Sequence, residues 1–406
     1  MKGETSAFPA HVAVVASGYP SPLRPTSGMF VREFAHAVAR HGVRCTVIHP
    51  VAIHRALSGV GYPFHEREEA GGGQMVDVYR PRFLSLSARD AFVRLGPLNP
   101  ARFTWRQFTG AVRRVLRQPH VRPDALYGHF LYLAGAAVVR LGREMGLPSF
   151  PCMGEGEPWT VRRFGLARAR ADLAGASGVL ANSSALRRIL VQDLGIAPEK
   201  IGVFPNGTDL SKFSPQDRAA ARRRFGLPPD RFLVAAAGNF LEKKGIARVG
   251  EAIEGLEGVA GVFAGAGPVP PTASNMAFCR RAAHDEMPAL LSACDVFVLP
   301  TLIEGSCNAI VEAMACGLPI ISSTGEFNDD LLAGDMSIRV DPLDVAAIRE
   351  AIVRLRDDAA LRGRMAAAAA KRSRSFGVDD RARRMLAFMS TCPGRPAKGA
   401  ESSECD

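Results

Sequence analysis

Short apolar runs alternate with longer segments of helical periodicity along most of the chain. The run HVAVVAS at 11–17 predicts a buried strand, and MFVREFAHAVARHG at 29–42 predicts an amphipathic helix that ends at Gly42. Further strand-like runs lie at 43–50, 124–130, 147–154, 176–184, 231–240, 259–268, 294–301 and 318–324. Alternating β and α units imply an α/β protein whose parallel sheets carry helices on both faces.

This pattern runs in two series, which meet near the segment 204–215. We therefore expect two Rossmann-like domains that face each other. Ligands of open parallel sheets bind beyond the carboxyl ends of the strands, which predicts a site in the cleft between the domains. The predicted boundaries are 1–207 for the N-terminal domain, 208–375 for the C-terminal domain, 376–392 for a helix that returns to the N-terminal domain, and 393–406 for a disordered tail.

Composition supports a globular protein, since 47% of the 406 residues are hydrophobic and 22% are charged. No apolar run reaches the roughly 20 residues of a membrane span, and the N-terminus lacks the pattern of a signal peptide. We therefore expect a cytoplasmic protein. The eight cysteines form no Cys-x-x-Cys pair, which argues against a zinc or redox motif.

The net charge of +11 is concentrated in one segment. From Arg80 to Arg122 the chain has ten arginines and a single acidic residue, Asp90. A basic surface predicts an anionic partner, such as lipid head groups or a phosphorylated substrate. The alternative is a general use of arginine in an Ala- and Arg-rich chain. Nucleic acid is disfavoured because the segment has no recognised binding motif and no closely spaced aromatic residues.

The stretch EGSCNAIVEAMACGLP at 304–319 contains the most informative pattern. The predicted helix 309–316 is apolar or small on all sides except at Glu312, and Glu304 stands just ahead of it. A buried carboxylate needs hydrogen-bond donors. The alternative is that Glu312 faces solvent and that Asn308 only caps the helix.

With its surroundings, this stretch resembles the Glu-x7-Glu segment of retaining GT-B glycosyltransferases of the family 4 type, also called glycosyl transferases group 1. The segments 181–215, 262–268 and 287–301 are also similar to that family, so the resemblance covers nearly the whole ordered chain. It implies the GT-B fold. It also implies a hexosyltransferase that moves a sugar from a nucleoside-diphosphate sugar, with UDP or GDP, to an acceptor hydroxyl with retention at the anomeric carbon.

The resemblance assigns Glu312 to the ribose, Glu304 to the donor sugar and Lys244 to the diphosphate, where charge develops in the transition state. Asn239 departs from the family, which often has arginine there. The other expected donor-side residues are Gly28, where the backbone approaches the diphosphate, Gly265 and Gly267 of a Gly-x-Gly-Pro turn, and Gly305, Ser306, Cys307 and Asn308 at the helix N-terminus.

The acceptor side departs further from the family pattern. His129 ends a strand and is a candidate for catalysis and for acceptor positioning, although a structural role is the alternative. Many family members carry a His-Gly-x-Asp loop after the next strand, whereas this chain has CMGEGEPW at 152–159. The polar groups available there are Glu155 and Glu157. The basic segment falls in the predicted acceptor domain, so we expect a sugar or lipid-linked acceptor and an anionic membrane surface at the inner face.

The resemblance implies neither a metal ion nor a cofactor, because the nucleotide sugar is a substrate. It favours a role in cell-surface polysaccharide or glycolipid biosynthesis. Two alternatives stay open: a sugar-nucleotide epimerase with the same fold, and a non-catalytic protein that binds sugar nucleotides.

Overall fold

The computed structural model describes residues 8–21, 24–25, 27–56, 62–86, 100–156, 161 and 165–392. The chain forms two compact units. The first comprises the residues up to Phe204 and those from Arg381 onward, and the second runs from Pro205 to Asp380. No helix in the described ranges is both long and apolar enough to cross a membrane.

The first unit is built around an eight-stranded sheet. Its strands are β1 (His11–Ala16), β2 (Arg44–Ile48), β4 (His65–Gly71), β5 (Gln74–Tyr79), β7 (Ala125–His129), β8 (Ser149–Met153), β9 (Val179–Ala181) and β10 (Ile201–Val203), while β3 (Val51–Ala52) and β6 (Arg82–Phe83) form a separate pair. The order across the sheet is β10-β9-β8-β7-β1-β2-β5-β4. Every neighbouring pair is parallel except β4 with β5.

Helices cover this sheet and contribute the apolar residues of its core. They are α1 (Met29–Arg40), α2 (Ile53–Ala56), α3 (Pro100–Leu116), α4 (Ala136–Met145), α5 (Leu166–Leu173) and α6 (Ser184–Gln192). In α1, Val31, Phe34 and Val38 are fully buried because they recur on one face of the helix. The helix ends before Gly42, whose φ of 76° favours glycine.

The second unit contains a six-stranded parallel sheet. Its strands are β11 (Phe232–Asn239), β12 (Val259–Ala266), β13 (Met276–Arg280), β14 (Val296–Leu299), β15 (Ile320–Ser323) and β16 (Ser337–Val340), in the order β13-β12-β11-β14-β15-β16. Its helices are α7 (Arg218–Phe225), α8 (Ile246–Ile253), α9 (Met287–Ser292), α10 (Asn308–Ala315), α11 (Val345–Asp357) and α12 (Ala359–Ser373). The central strands are apolar and buried on both faces, as parallel strands between two helical layers require.

The last helix, α13 (Val378–Thr391), belongs to the first unit from Arg381 onward. There the ring of Phe388 packs 5.6 Å from that of Phe204 and 6.4 Å from that of Phe150. The guanidinium of Arg381 donates to the Asn182 side chain at 3.2 Å. The chain therefore leaves the first unit after β10 and comes back to it at its C-terminal end.

The predicted α/β architecture with parallel sheets is confirmed. The strand-like runs named above correspond to β1, β2, β7, β8, β9, β11, β12, β14 and β15. The sequence did not predict the other strands, which are β3, β4, β5, β6, β10, β13 and β16. Of these, β4, β10, β13 and β16 lie at edges of the two large sheets.

Candidate functional site

The loops that follow β11 and β14 bring together a lysine and a carboxylate of the second unit. The Nζ atom of Lys244 contacts Oε1 of Glu304, and both side chains are largely buried. Burial opposes the charge of Lys244, but the Cys307 sulfur and the Glu304 carboxylate favour it, and the pKa of the lysine is raised. Two residues 60 positions apart in the sequence thus form one ion pair.

Backbone contacts hold these two loops together. The main-chain carbonyl of Lys243 accepts hydrogen bonds from Leu302 N at 2.8 Å and from Thr301 Oγ1 at 2.9 Å. Gly245 has φ of 70°, and a Cβ there would lie 2.3 Å from the Pro300 carbonyl oxygen. Only glycine allows this approach without displacement of the backbone. The position of Lys244 is therefore fixed by main-chain packing on both sides.

The segment that leads into α10 lies close to this pair, since Cys307 interacts electrostatically with both Lys244 and Glu304. Ser306 Oγ accepts from Asn206 N at 2.9 Å, and the Ser306 carbonyl accepts from Asn206 Nδ2 at 2.9 Å. Cys307 is the N-cap residue and contributes no side-chain cap. The alternative that Asn308 caps the helix is wrong: it is the first helical residue, and its Oδ1 is buried without a hydrogen-bond partner among the described residues.

Glu312 lies on α10 with its side chain 13% exposed, so the solvent-facing alternative is also wrong. Its Oε1 is 3.5 Å from Nε2 of His284, which lies after β13. The ring of Phe213 packs at 5.4 Å against the His284 ring. Sequence reasoning missed His284, since nothing in its own neighbourhood marks it as a partner of a residue 28 positions later.

The remaining donor-side candidates lie at the ends of β11 and β12. Asn239 ends β11 and is exposed. A Cβ on Gly265 would lie 1.9 Å from the Gly238 carbonyl oxygen, and one on Gly267 would lie 2.3 Å from that of Phe240. Both glycines are therefore needed for the close approach of these two strand ends. No helix begins directly after Gly267, where the chain continues as PVPP at 268–271, so this Gly-x-Gly turn is not a dinucleotide-binding motif.

These residues place one cation, two carboxylates and a helix N-terminus at the carboxyl edge of one parallel sheet. Sugar and ribose hydroxyl groups donate hydrogen bonds to carboxylates, and a phosphate suits a lysine and free N–H groups. The arrangement therefore offers complementary partners for a nucleotide that carries both phosphate and hydroxyl groups.

In the first unit, Gly28 is the residue before α1 and has φ of 71°. A Cβ there would lie 2.4 Å from the Gly18 carbonyl oxygen. The requirement for glycine thus arises from packing within the loop itself.

His129 ends β7, as predicted, but its ring is buried. Its Nδ1 is 2.7 Å from the Tyr127 hydroxyl oxygen, and the rings of Phe30 and Phe130 lie at 4.8 and 4.6 Å. Burial and the charge of Arg381 lower its pKa to about 3. A buried histidine with a lowered pKa is uncharged near neutral pH, so this geometry fits the structural alternative.

Glu155 lies two residues after β8, and its carboxyl group is enclosed by the surrounding backbone. Its Oε2 accepts a hydrogen bond from Gly154 N at 3.2 Å. Glu157 lies outside the described residues. Of the basic segment, Arg80 is buried with Nη1 at 2.6 Å from Glu66, so it is not part of a basic surface.

Comparison with solved structures defines the class of the fold. The crystal structure of HepE from Anabaena, in complex with UDP and glucose, matches with a TM-score of 0.68 and 18% identity. The match covers 94% of this chain and all of that one. Two Rossmann-like units in this arrangement along the chain define the GT-B fold of glycosyltransferases.

Family models give the membership. The model of Glycosyltransferase Family 4 matches residues 27–212, and that of Glycosyl transferases group 1 matches residues 231–358. The chain therefore belongs to the family 4 type of GT-B glycosyltransferases, and the resemblance deduced from the Glu-x7-Glu segment is confirmed.

Two curated relatives extend the comparison. The chain is 26% identical over 356 residues to a putative teichuronic acid biosynthesis glycosyltransferase, TuaC, of Bacillus subtilis, covering 84% of this chain and 87% of the relative. Over 193 residues it is 30% identical to a UDP-Gal:alpha-D-GlcNAc-diphosphoundecaprenol alpha-1,3-galactosyltransferase of Escherichia coli, covering 43% of this chain and 50% of the relative.

Proposed function

We propose that this glycosyltransferase moves a sugar from a nucleoside-diphosphate sugar, preferably a UDP-sugar, to an acceptor hydroxyl with retention at the anomeric carbon. The observation that carries the proposal is the Lys244–Glu304 ion pair, with Glu312 and His284 on the same edge of the sheet. A UDP donor is favoured because HepE is described with UDP and glucose and the Escherichia coli relative is named for UDP-Gal.

In this proposal the diphosphate binds Lys244 and the backbone N–H groups of the segment 305–308. The Lys244 ammonium then exchanges part of its contact with Glu304 for phosphate oxygens, and Glu304 becomes available to the hydroxyl groups of the sugar. Glu312 accepts hydrogen bonds from the ribose. The buried Oδ1 of Asn308 is a further hydrogen-bond acceptor for the donor nucleotide, since it has no partner among the described residues.

The chemical step breaks the bond between the anomeric carbon and the diphosphate oxygen and forms a bond to the acceptor oxygen. The departing phosphate takes the proton of the acceptor hydroxyl on the same face of the sugar, so configuration is retained. Negative charge grows on the leaving phosphate, and stabilisation of that charge is the main electrostatic task. We assign it to Lys244 and the α10 N-terminus, without a metal ion.

The acceptor is proposed to be a lipid-linked or polysaccharide sugar at an anionic membrane surface, as the names of the two curated relatives favour. On the first unit, Arg82, Leu84 and Leu86 point outward in alternation, and the leucines are 52% and 54% exposed. The chain here runs along α3: Leu86 N donates to Thr104 Oγ1 at 3.1 Å, and the Arg114 guanidinium donates to the Arg82 carbonyl at 2.6 Å.

The exposed side chains of α3 continue this feature. Phe103 is 36% exposed, and it lies on the helix face that also carries Arg106 and Arg114. We call Arg82, Leu84, Leu86, Phe103, Arg106 and Arg114 the Leu84 surface. The segments 82–86 and 100–122 contain no acidic residue. Exposed apolar side chains next to arginines, in two described segments that contain no acidic residue, suit the interface of an anionic lipid layer.

A donor screen tests the proposal. Thermal unfolding is measured with UDP-, GDP- and ADP-sugars, since a ligand that binds only the folded state raises its apparent stability. The donors that bind are then incubated with lipid-linked and free sugar acceptors, and products are analysed with the configuration of the new bond. Transfer that persists in EDTA with a retained configuration supports the proposal. Sugar epimerisation without an acceptor supports an epimerase, and binding without turnover on any acceptor supports a non-catalytic protein.

A further inference from the structure

One oxygen of the Glu155 carboxyl group has no hydrogen-bond partner among the described residues of the first unit. Its Oε1 is shielded from solvent and accepts no hydrogen bond from the described residues. Glu155 follows β8 by two residues, at the carboxyl edge of the sheet, where β7 is the neighbouring strand and His129 pairs with Cys152. Buried polar atoms are usually satisfied, so an unpaired carboxyl oxygen at a strand end indicates a missing partner.

The other oxygen of this carboxyl group is held by the main chain. Oε2 accepts a hydrogen bond from Gly154 N at 3.2 Å. The backbone N–H groups of Leu131 and of Glu155 itself also lower the pKa of the carboxyl group. Leu131 follows Phe130, whose φ of 73° is uncommon for a residue other than glycine. Two neighbouring strand ends therefore fix the carboxyl group. Backbone conformations of this kind are frequent at functional sites.

The titratable groups nearby differ from Glu155 in their behaviour near neutral pH. Burial raises the pKa of Glu155 to about 7. Burial also raises the pKa of Tyr127 far above its ordinary value and that of Cys152 to about 11, and it lowers the pKa of His129 to about 3. The fifth group, Arg381 of α13, is engaged with Asn182 and the Phe204 carbonyl. Among these groups Glu155 is the one that titrates near pH 7.

We propose that Glu155 binds the acceptor, and that its Oε1 forms a hydrogen bond with an acceptor hydroxyl group. The inference rests on the proposed function and gives the loop 152–156 a specific task. The family resemblance leads one to expect a histidine in this region, and here a neutral carboxyl group would supply both an O–H donor and a carbonyl acceptor to a sugar hydroxyl. Ionisation removes the O–H donor and adds a negative charge that no cation of the described residues contacts, so in this proposal the acceptor binds the neutral form.

The test compares Glu155→Gln and Glu155→Ala with wild type and with Glu199→Gln, a control on an exposed residue of the same unit. The donor is the sugar nucleotide found in the screen, and the KM for acceptor is measured from pH 5.5 to 8.5. In wild type this KM rises with pH and approaches about tenfold per unit above pH 7, as expected for one ionisation. Glu155→Gln keeps the low-pH KM within about threefold and abolishes the pH dependence.

Glu155→Ala raises the acceptor KM about tenfold or more at pH 6, since it removes both hydrogen-bonding functions. Donor binding, measured by thermal shift, changes less than twofold in every variant. The inference is overturned if wild type shows no pH dependence of KM, or if Glu155→Gln retains that dependence. Should Glu155→Ala fail to fold, the pH profile of Glu155→Gln decides alone. Absence of turnover in wild type overturns the proposed function and this inference with it. Turnover with an acceptor KM that does not change when Glu155 is replaced overturns the inference only.

Discussion

Replacement of Lys244 by alanine tests the assignment of the diphosphate most directly. The side chain is largely buried and contacts Glu304, whereas the adjacent Lys243 has an exposed side chain and uses only its carbonyl in the loop contacts described above. Lys243→Ala therefore removes an equal charge from the same loop but leaves the Lys244–Glu304 ion pair in place. The two variants form a matched pair.

The expected loss follows from the charges involved. Two unit charges about 4 Å apart interact by about 4 kcal/mol at an effective dielectric constant of about 20. Part of this gain is offset, because Lys244 already interacts with Glu304 in the unliganded protein. We expect a net loss of about 1.5–2.5 kcal/mol, which weakens UDP binding roughly 10- to 70-fold. Uridine carries no phosphate, so its affinity stays within about twofold.

Isothermal calorimetry of UDP and uridine with wild type, Lys244→Ala and Lys243→Ala provides the measurement. Lys243→Ala is expected to weaken UDP by less than threefold, because an exposed charge is screened by solvent and salt. Equal weakening of UDP and uridine in Lys244→Ala would remove this lysine from the phosphate site. An equal loss in the two lysine variants would show that the net charge of the loop matters and the position of Lys244 does not.

Three further outcomes are expected. Glu304→Gln lowers the rate of transfer at least 100-fold while the dissociation constant for UDP, measured by calorimetry, changes less than fivefold; full activity would exclude its role at the sugar. Burial opposes ionisation of Glu68, but hydrogen bonds from His36, Arg32 and Tyr19 lower its pKa to about 2. The ionised carboxylate therefore adds its full share of folding stability above about pH 4.5, and this share is lost as the pH falls towards 2. Glu68→Gln therefore costs roughly 2–3 kcal/mol of unfolding free energy at pH 7 and clearly less at pH 3 in urea titrations, and an equal loss at both values would contradict this account. The double variant Leu84→Asp/Leu86→Asp reduces co-sedimentation with phosphatidylglycerol vesicles at least fivefold. The control Leu343→Asp, at a 65% exposed leucine of the second unit, does not. Equal binding of wild type to neutral phosphatidylcholine vesicles, or no loss in the double variant, would refute the membrane role of the Leu84 surface.

The central strands were predictable because a strand that is buried on both faces needs a continuous run of apolar residues. VFVL of β14 and HVAVVA of β1 show this in its simplest form. The strand β4 has the sequence HEREEAG and lies at an edge, where one side of the backbone has no neighbouring strand. Its charged residues give no apolar signal, so the antiparallel pair it forms with β5 was not predicted. The edge strand β13 was missed for another reason: it is short, and of its sequence MAFCR only Phe278 is buried.

The candidate site was predictable only in part, and the difference follows from sequence distance. Glu304, Glu312 and Lys244 stand in local patterns that the family resemblance identifies. His284 has no such pattern, and its contact with Glu312 depends on the order of strands in the sheet. The segment from Arg80 to Arg122 was predicted to be a basic surface. The structure divides it, since Arg80 is buried beside Glu66 and Arg113 pairs with Glu144 at 2.9 Å.

The partners of the two carboxylates differ, and this difference bears on how a donor is recognised. Glu304 contacts a lysine that phosphate would also attract, whereas Glu312 faces a histidine at 3.5 Å. In the proposed function, a diphosphate draws Lys244 away and leaves Glu304 with less compensation in a largely buried place, which is costly unless new donors replace it. A sugar supplies those donors through its hydroxyl groups. In the proposed function, the site therefore binds the complete sugar nucleotide more tightly than the product diphosphate, because the diphosphate engages Lys244 while the sugar replaces the lysine at Glu304.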